Sequence, residues 1–438
     1  MAFAGSAIGL GNIWRFPYLV GENGGAAFIL IYIAFTLLLS IPIFLAESAI
    51  GRSSGANCRA AIGSLVPGRA GRWFGLLMVV TPLWIGSYYS VVGGWSLEYL
   101  IQACQFTFTR TDPEAMADTF SLFISRTWAP VLLHVGFLLV TVGIVAFGVK
   151  GGIEKFSKFS IPVLFVIILL IAGYSLSLQG SYKGVIYLVK PDFSKVTVHT
   201  FIAALGQSFY SLSLGMGIII TYSSYVSRKE NLMVAAAGTS ISDLLFAYLA
   251  GFAVMPAVFS AGIEPASGPG LIFDTIPYIF SEMGRVMPVV SSVAAILFFA
   301  AILIAALTSS VSLIEVGVAY LVEQRGVSRG WACVQLFLLC GAAGVLCSLS
   351  FGPLSQVKVF GLGLFDFADS FASNVLLVTG ALIAVILAGW VMPRKTLFAE
   401  LTNGGTLRNN VRVFPLVYFL LRYVAPVGIL ILILSSVL

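Results

Sequence analysis

The sequence predicts an all-α integral membrane protein that crosses the bilayer about eleven times. Of its 438 residues, 59% are hydrophobic and only 10% are charged, whereas a soluble domain carries about 25% charged residues. Apolar runs at 131–149, 161–175, 291–308 and 375–391 approach or exceed the roughly 20 residues that cross a bilayer. These runs are too many and too long for a signal peptide followed by a soluble domain.

Hydrophobic runs and the turn residues between them define the predicted helices. Their ranges are 1–21, 26–51, 74–103, 130–149, 156–178, 200–226, 231–260, 288–323, 330–350, 366–392 and 412–437. Each run is long enough to cross a membrane or to form most of a crossing, and polar loops separate them.

The distribution of Lys and Arg sets the predicted orientation. If the N-terminus is cytoplasmic, fifteen basic residues lie in inner loops and seven in outer loops. The inner set is Arg52, Arg59, Arg69, Arg72, Lys150, Lys155, Lys158, Arg228, Lys229, Arg325, Arg329, Arg394, Lys395, Arg408 and Arg412, and the outer set is Arg110, Arg126, Lys183, Lys190, Lys195, Arg285 and Lys358. The positive-inside rule therefore predicts a cytoplasmic N-terminus and an outer C-terminus, in a cell inner (plasma) membrane.

Small, flexible residues interrupt two of the predicted helices. The first break reads GSAIGLGN at 5–12, and the second reads SLSLGMG at 211–217. A glycine costs about 1 kcal/mol in a helix interior. One glycine alone could permit close helix packing, but several beside Ser or Asn indicate unwinding. Unwound backbone at membrane depth must line a cavity or be buried in protein.

The breaks fall in the first and sixth helices, which predicts two five-helix repeats of inverted topology with a binding site between the broken helices. We expect one transmembrane domain over 1–438. Its parts would be repeat one at about 1–178, repeat two at about 200–392 and an extra helix at 412–437.

An unwound stretch offers free carbonyl oxygens to a cation and free amides to an anion. A zwitterionic amino acid accompanied by Na⁺ needs both. We expect the substrate carboxylate at the amides of Leu10 and Gly11. The amine would then meet the second break near Tyr210, Ser211 and Ser213.

Ionisable side chains inside predicted spans are candidates for function. They are Arg15, Glu47, Asp243, Glu315, Asp366 and Asp369. Glu47 is expected to bind unpaired amides of a broken helix, with a snorkelling position near the inner surface as the alternative. Arg15 could pair with a carboxylate across the entry path, and Asp369 begins the tenth helix at the same outer level.

Five segments, in order along the chain, resemble the neurotransmitter:sodium symporter family. They are GLGNIWRFPY at 9–18, ENGGAAF at 22–28, Tyr88-Tyr89 with Trp95, 211–217 with Tyr222 and Tyr225, and LTSS at 307–310. The resemblance covers essentially the whole chain. It implies the LeuT fold of the family's bacterial members, a 5+5 inverted repeat with discontinuous helices 1 and 6, in its eleven-helix subgroup. It also implies sodium-coupled symport by alternating access and no enzymatic activity.

The resemblance implies two sodium sites. The second site would use carbonyl oxygens of Gly5, Ile8 and Ala305 with the hydroxyls of Thr308 and Ser309. Back-bonding of these two hydroxyls to their own helix is the alternative interpretation.

The first implied site would use the Ala7 carbonyl, Asn12, Ser211 and Asp243, together with the substrate carboxylate. Ion and substrate would then complete each other's sites, so each raises the affinity of the other by the same factor.

Asp243 occupies a position where many members of the family have Asn, and Ala247 one where chloride-dependent members have Ser. The other positions of that chloride site persist at Tyr32, Gln207 and Ser211. Because Ala247 cannot donate a hydrogen bond and Asp243 supplies a fixed negative charge, no chloride requirement is expected. Asp243 could also take a proton in the empty return step.

The resemblance places the substrate pocket between the two breaks and the third and eighth helices. Its implied lining is Ser6, Ala7, Gly9, Leu10, Gly11, Ile85, Tyr89, Tyr210, Ser211, Ser213, Leu214, Met216, Ser309, Ser312 and Leu313. The Tyr89 hydroxyl would bind the substrate carboxylate. No charged residue faces the side-chain end and Met adapts to irregular shapes, so we expect a hydrophobic or aromatic amino acid such as leucine, tyrosine or tryptophan.

Tyr89 and Tyr210 are expected to cover the pocket on its extracellular side. Above them Arg15 and Asp369 are expected to close as a salt bridge, directly or through water.

Glu323, Tyr225 and the start of the first helix would form the inner gate. The chain starts about fifteen residues later than the family pattern, and the roughly 9 Å of helix before the break cannot cross half a bilayer. We therefore expect a misassigned start codon or a truncated gene.

Three alternatives remain at the level of sequence: a channel or sensor on the same scaffold, a membrane-embedded enzyme, and coupling to protons. Neither His134 nor His199 has a catalytic partner in the sequence pattern. Cys333, Cys340 and Cys347 repeat every seven residues and are better interpreted as a packing face than as a metal site.

The basic residues form no single patch, so nucleic acid is not an expected partner. The expected partners are an amino acid, sodium ions and the bilayer, with the oligomeric state left open.

Overall fold

The structure is a computed structural model that describes residues 2–111, 116, 119–262 and 271–437. The helices are α1 (Ala2–Ala7), a π-helical turn (Gly11–Arg15) leading into α2 (Phe16–Glu22), α3 (Ala26–Ser54), α4 (Cys58–Leu65), α5 (Arg69–Cys104), α6 (Thr107–Arg110), α7 (Thr119–Ser125), α8 (Trp128–Ala146), α9 (Gly151–Ser177), α10 (Tyr182–Val189), α11 (Val198–Ser211), α12 (Ile218–Ser224), α13 (Leu232–Ser260), α14 (Thr275–Gly284), α15 (Pro288–Arg325), α16 (Arg329–Leu349), α17 (Leu364–Val391), α18 (Arg394–Thr402) and α19 (408–437). Strands β1 (Lys358–Val359) and β2 (Leu362–Gly363) form a short antiparallel hairpin.

In the described part of the chain, nine helices are long and apolar enough to cross a membrane. The pairs α1/α2 and α11/α12 form two further, interrupted crossings. Together they give the eleven crossings that the hydrophobic runs predict. Met1, the first residue of the predicted first helix, lies outside the described residues.

Two groups of helices surround the breaks. In one group, the long helix α5 packs along α15 and also contacts α8 and α16. In the other, α12 packs against α3, and α9 packs against α13. The first helix segment, α1, lies between them and contacts α9, α13 and α15. The first break is therefore surrounded by helices from both groups.

Several short helices were missed by the sequence analysis. These are α4, α10, α14 and α18, each of eight to ten residues. A helix of this length shows only two to three turns of periodicity, too little to distinguish it from a loop. A local signal does exist at α4, because the Asn57 side chain accepts from the amides of Arg59 and Ala60 as an N-cap.

Arg52 corrects one detail of the predicted loops. It was assigned to an inner loop, but it lies in the last turn of α3 and its side chain is 2% exposed. Its Nε lies 2.7 Å from Glu400 Oε2 on α18, and its NH1 donates to the Glu230 carbonyl oxygen at 2.7 Å. The ion pair joins α3 to a helix nearly 350 residues away, which hydrophobic patterning cannot indicate.

Candidate functional site

The first helix break is stabilised by side chains from two other helices, α11 and α15, and from its own second half. The amide of Gly9 donates to Asn12 Oδ1 at 3.0 Å, which replaces a helical hydrogen bond. Thr308 Oγ1 donates to the Ile8 carbonyl oxygen at 3.1 Å. Gln207 Nε2 donates to the Gly11 carbonyl oxygen at 3.1 Å. The polar backbone groups of this break are thus satisfied mainly by side chains.

The second break, residues 212–217, has a different conformation. Ser213, Gly215 and Gly217 all have positive φ angles, of 56°, 76° and 69°, a region that favours glycine. The amide of Gly215 donates to Glu47 Oε1 at 2.7 Å. A Cβ on Gly215 would lie only 2.1 Å from the Leu377 carbonyl oxygen of α17. This break is therefore fixed by close packing and by one buried carboxylate.

Asp243 is the centre of the first implied sodium site. It is fully buried on α13. Ser211 Oγ lies 2.8 Å and 2.9 Å from its two carboxylate oxygens, and Tyr32 donates its hydroxyl to Oδ2 at 3.1 Å. The structure thus brings Asp243 and Ser211 together with the tyrosine of the implied chloride site.

Asn12 completes this cluster from the first break. Its Nδ2 donates to Asp243 Oδ1 at 2.7 Å and to Ser211 Oγ at 3.1 Å. Its Oδ1 accepts from the Gly9 amide instead. A side-chain amide binds a cation through its oxygen, and Asn12 Oδ1 keeps a second lone pair for the implied ion while it accepts from Gly9. Ala7, the fourth implied ligand, is buried beside the same break.

Part of the second implied sodium site is also assembled. Thr308 Oγ1 lies 3.1 Å from the Ile8 carbonyl oxygen and 2.9 Å from the Ala305 carbonyl oxygen. Because Ala305 precedes Thr308 by three residues on α15, the second contact is also the back-bonding that the alternative interpretation expects. A Cβ on Gly9 would lie 1.9 Å from Ser309 Oγ, so the Ser309 hydroxyl fills the space beside the break. Gly5 packs against Ser157 of α9, where a Cβ would lie 2.3 Å from Ser157 Oγ.

A narrow cavity lies between the two breaks. Its lining is Ser6, Ala7, Gly11, Ile85, Tyr89, Tyr210, Ser211, Ser213, Met216, Ser309 and Leu313. Every one of these residues belongs to the implied substrate pocket. The space open to the centre of a water molecule is about 20 Å³, enough for one or two waters. Side chains must move apart before an amino acid can enter.

Four residues of the implied pocket do not line this cavity. They are Gly9, Leu10, Leu214 and Ser312. Ser312 instead accepts the Tyr222 hydroxyl at 2.9 Å and donates to the Thr308 carbonyl oxygen at 3.2 Å. It links α12 to α15 just below the cavity, a contact that the sequence pattern did not reveal.

The outer gate differs from the expected arrangement. No direct ion pair within 4.0 Å joins Arg15 to Asp369, although both are described. Arg15 instead lies over the Tyr210 ring, with Cζ 4.5 Å from the ring centroid, and donates to Ser373 Oγ at 3.4 Å. The direct form of the predicted salt bridge is therefore wrong for this conformation. A cation over an aromatic face is itself a favourable contact.

Glu323 has partners on two elements, the residue before α4 and the end of α12. Its Oε2 accepts from the amide nitrogen of Asn57 at 2.7 Å and from Asn57 Nδ2 at 2.9 Å. Its Oε1 accepts from the Tyr225 hydroxyl at 3.3 Å. The predicted proximity of Glu323 and Tyr225 is thus present. Asn57 was missed, although its position before α4 marks it as a helix cap.

Other candidate chemistries find no assembled site in the described chain. Among those residues, no group of three or more His, Cys, Asp or Glu side chains could hold a metal ion. Cys333, Cys340 and Cys347 are buried and unpaired. His134 is buried, with Nε2 at 3.2 Å from the Gly341 carbonyl oxygen.

Comparison with known proteins supports the fold and identifies the family. The family model of the sodium:neurotransmitter symporter family matches residues 1–119 and 126–438. The uncharacterized sodium-dependent transporter YhdH of Bacillus subtilis is 36% identical over 442 residues, covering 100% of this chain and 95% of its own. An uncharacterized sodium-dependent transporter of Haemophilus influenzae is 34% identical over 451 residues, with 100% and 96% coverage.

Among solved structures, the crystal structure of MhsT in complex with L-phenylalanine matches with a TM-score of 0.91. The two sequences are 40% identical, and the match covers 99% of this chain and 97% of the other. The predicted fold, a LeuT-type arrangement with discontinuous helices 1 and 6, is confirmed. The chain belongs to the sodium:neurotransmitter symporter family and is a sodium-dependent membrane transporter.

Proposed function

We propose that this transporter couples the uptake of a neutral, hydrophobic or aromatic amino acid to two sodium ions, without a chloride requirement. The observation that carries the proposal is the buried carboxylate of Asp243 beside the first break. In the described chain no Lys, Arg or His side chain lies within 4.0 Å of it. A buried charge without a counter-charge is costly. A sodium ion bound between Asp243, Ser211 and Asn12 would compensate it.

The second proposed ion would sit among the Ile8 and Ala305 carbonyl oxygens and the Thr308 and Ser309 hydroxyls. Hard cations prefer such oxygen donors. Both proposed sites include backbone of the first break. Sodium would therefore hold α1 in one arrangement against α13 and α15, and its release would free the break to move. An ion that favours one state shifts the equilibrium among outward, occluded and inward states.

Substrate and ion would be coupled through the same break. The carboxylate of an amino acid in the cavity would meet Gly11 and the Tyr89 hydroxyl, beside the proposed first sodium. Tyr89 supports this role, because its buried hydroxyl lies near the Leu10 amide and the Ser309 hydroxyl and donates to no acceptor among the described residues. A substrate carboxylate that contacts both Tyr89 and sodium raises the affinity of the protein for the ion. The bound ion raises the affinity of the protein for the substrate by the same factor.

The cavity supports an apolar substrate side chain. Ile85, Met216 and Leu313 line it, and no Asp, Glu, Lys or Arg does. A charged substrate side chain would be buried there without a partner. The related MhsT was crystallised with L-phenylalanine, which fits a hydrophobic or aromatic substrate for this chain as well.

Independence from chloride follows from the same carboxylate. Tyr32 and Ser211, two positions of the implied chloride site, already donate to Asp243. A chloride ion at these donors would face a negative carboxylate, and Ala247 offers it no hydrogen bond. The fixed charge of Asp243 thus takes the place of the anion.

The proposed orientation has the N-terminus in the cytoplasm, with α19 as an extra helix outside two repeats of about 1–178 and 200–392. Arg15 with Tyr210 would then close the outer path, and Glu323 with Tyr225 the inner path. Asp369 would pair with Arg15 through water or after a small movement.

A thermal-stability screen tests the proposal directly. Purified protein is melted with each standard amino acid in NaCl, KCl and sodium gluconate. Binding to the folded state raises the melting temperature, so hydrophobic or aromatic amino acids should stabilise it equally in the two sodium salts and little in KCl. Uptake into proteoliposomes with an inward sodium gradient then measures transport.

A double variant sharpens the chloride test. Asp243→Asn with Ala247→Ser removes the fixed charge and restores a hydroxyl, so we expect uptake by this variant to require chloride while wild-type uptake does not. Equal stabilisation in KCl would refute sodium coupling. Loss of wild-type uptake in gluconate would refute chloride independence, and sodium conductance without concentrative uptake would indicate a channel.

A further inference from the structure

Two guanidinium groups flank one tyrosine where α17 ends and α19 begins. Arg394 Cζ lies 5.0 Å from the Tyr418 ring centroid, and Arg422 Cζ lies 5.7 Å from the same centroid. Arg422 also lies 4.5 Å above the Trp390 ring. Trp390 Nε1 donates to the Arg422 carbonyl oxygen at 3.1 Å. These contacts place both cations around the same tyrosine ring.

No carboxylate of the described residues compensates these charges. None lies within 4.0 Å of Arg394 or Arg422. Arg422 NH1 donates to the Tyr418 hydroxyl at 2.5 Å, but its Nε is buried without an acceptor. Glu400, on the same short helix as Arg394, is paired with Arg52. The protein thus leaves this pair of cations without an anionic partner.

The surface around the cations has the character of a membrane interface. Trp390 is 56% exposed and Tyr423 is 49% exposed, and Trp and Tyr concentrate where the hydrocarbon meets the headgroups. Helical geometry places Arg412 and Tyr423 on the same face of α19, because eleven residues make about three turns. That face is basic near the helix start and apolar further along. A lipid lying along it would therefore place its headgroup at the basic part and its acyl chain at the apolar part.

We propose that this α17–α19 basic patch, formed by Trp390, Arg394, Arg412, Tyr418, Arg422 and Tyr423, binds an anionic phospholipid. The lipid phosphate contacts the guanidinium groups of Arg394 and Arg422 beside Tyr418, since the Arg fork matches phosphate oxygens. An acyl chain lies along α19 past Tyr423. The patch selects a lipid of net negative charge, because a zwitterionic headgroup brings a cation of its own to the basic surface.

The test compares lipids and variants on the full-length protein. The protein is purified in detergent and titrated with phosphatidylglycerol, with phosphatidylcholine or with inorganic phosphate alone. Melting temperature and the number of lipids retained in native mass spectrometry are both recorded. We expect stabilisation and lipid retention with phosphatidylglycerol, little with phosphatidylcholine and none with inorganic phosphate.

The double variant Arg394→Gln/Arg422→Gln should need about thirtyfold more phosphatidylglycerol for the same stabilisation, since each basic residue at a membrane surface contributes about fivefold in affinity. The matched control, Arg69→Gln/Arg72→Gln, removes two exposed cations at the start of α5 and should leave the titration unchanged. Should the double variant fail to fold, Arg394→Gln alone, at an exposed position, should show about a fivefold shift.

Three results would overturn the proposal: the same response to both lipids, stabilisation by inorganic phosphate equal to that by phosphatidylglycerol, or an equal loss in the control variant. None of these results depends on transport activity, so the lipid site and the proposed symport are tested separately.

Discussion

The two helix breaks expose backbone groups in similar ways but are stabilised by different partners. The first break is satisfied by Asn12, Thr308 and Gln207, which lie in or beside the proposed ion sites. The second is fixed by Glu47 and by contact between Gly215 and α17, and neither residue lines the cavity. The two breaks should therefore differ in their response to ions. The first break should respond to sodium, whereas the second should keep its shape whether or not ions are bound.

The largest expected effect is at Gly215. Substitution by alanine places a Cβ 2.1 Å from the Leu377 carbonyl oxygen, at a φ of +76°. Both the overlap and the backbone conformation are unfavourable. We therefore expect the free energy of unfolding to fall by more than about 4 kcal/mol, or the protein not to fold at all. Yield of monodisperse protein and its melting temperature measure this.

Gly136→Ala serves as the control, because a Cβ there meets no atom within 4 Å. A stable Gly215→Ala protein that melts like the control would contradict a rigid second break.

Glu47 should have the next largest effect, and it should be independent of sodium. Glu47→Ala leaves the buried amide of Gly215 without an acceptor, which costs about 1–3 kcal/mol. Glu47→Gln keeps an oxygen acceptor and should recover most of that loss. The melting temperature of Glu47→Ala should be lower than that of the wild type by the same amount in NaCl and in KCl. A shift seen only in NaCl would place Glu47 in an ion site instead.

The sequence revealed one side of this comparison better than the other. Glycines and small polar residues located both breaks, and a lone carboxylate in an apolar span indicated that Glu47 needs buried donors. The fit of Gly215 against Leu377 could not be predicted, because it depends on how two helices far apart in sequence approach each other. The cation–π contact of Arg15 with Tyr210 was missed for the same reason, since charge alone favours Asp369 as its partner.

The same limit applies to the buried ion pairs of Glu315 and Arg52. Glu315 was recognised as an ionisable residue inside a span, but its partner Arg329, which contacts both of its carboxylate oxygens, was counted only as a loop cation. Arg52 was counted in the same way. Counting charges by loop predicts orientation, but it does not show which cations point back into the protein.

Substitution of Thr308 tests the first break. Its effect on stability should be smaller than those above and should depend on sodium. Thr308→Val keeps the side-chain shape and removes a hydroxyl that lies 3.1 Å from the Ile8 carbonyl oxygen. The loss of one oxygen ligand should raise the sodium concentration for half-maximal stabilisation by about tenfold or more. A sodium titration of the melting temperature measures this.

Thr81→Val is the matched control, since Thr81 is also buried and donates to its own helix, to the Leu77 carbonyl oxygen at 2.8 Å, but lies on α5 and does not line the cavity. Equal sodium sensitivity in both variants would argue against an ion at Thr308.

Tyr89 should show the smallest effect on the empty protein and a clear one only with substrate. Its hydroxyl donates to no acceptor among the described residues, and only the Leu10 amide and the Ser309 hydroxyl lie near its oxygen, so Tyr89→Phe should lower the melting temperature without amino acid only slightly. A hydrogen bond to a charged group contributes about 1.5–3 kcal/mol, so affinity for the amino acid should fall by at least about tenfold. Titration of the melting temperature with the amino acid in NaCl separates the two effects.

Tyr88→Phe is the strictest control available for this substitution. Tyr88 is the next residue, and its hydroxyl is also buried, but it lies beside Asp369 and does not line the cavity. If the hydroxyl of Tyr89 is reserved for a carboxylate, only Tyr89→Phe weakens amino-acid binding. If both variants bind equally well, the carboxylate is held by the first break alone, and the break must then position substrate and sodium without help from α5.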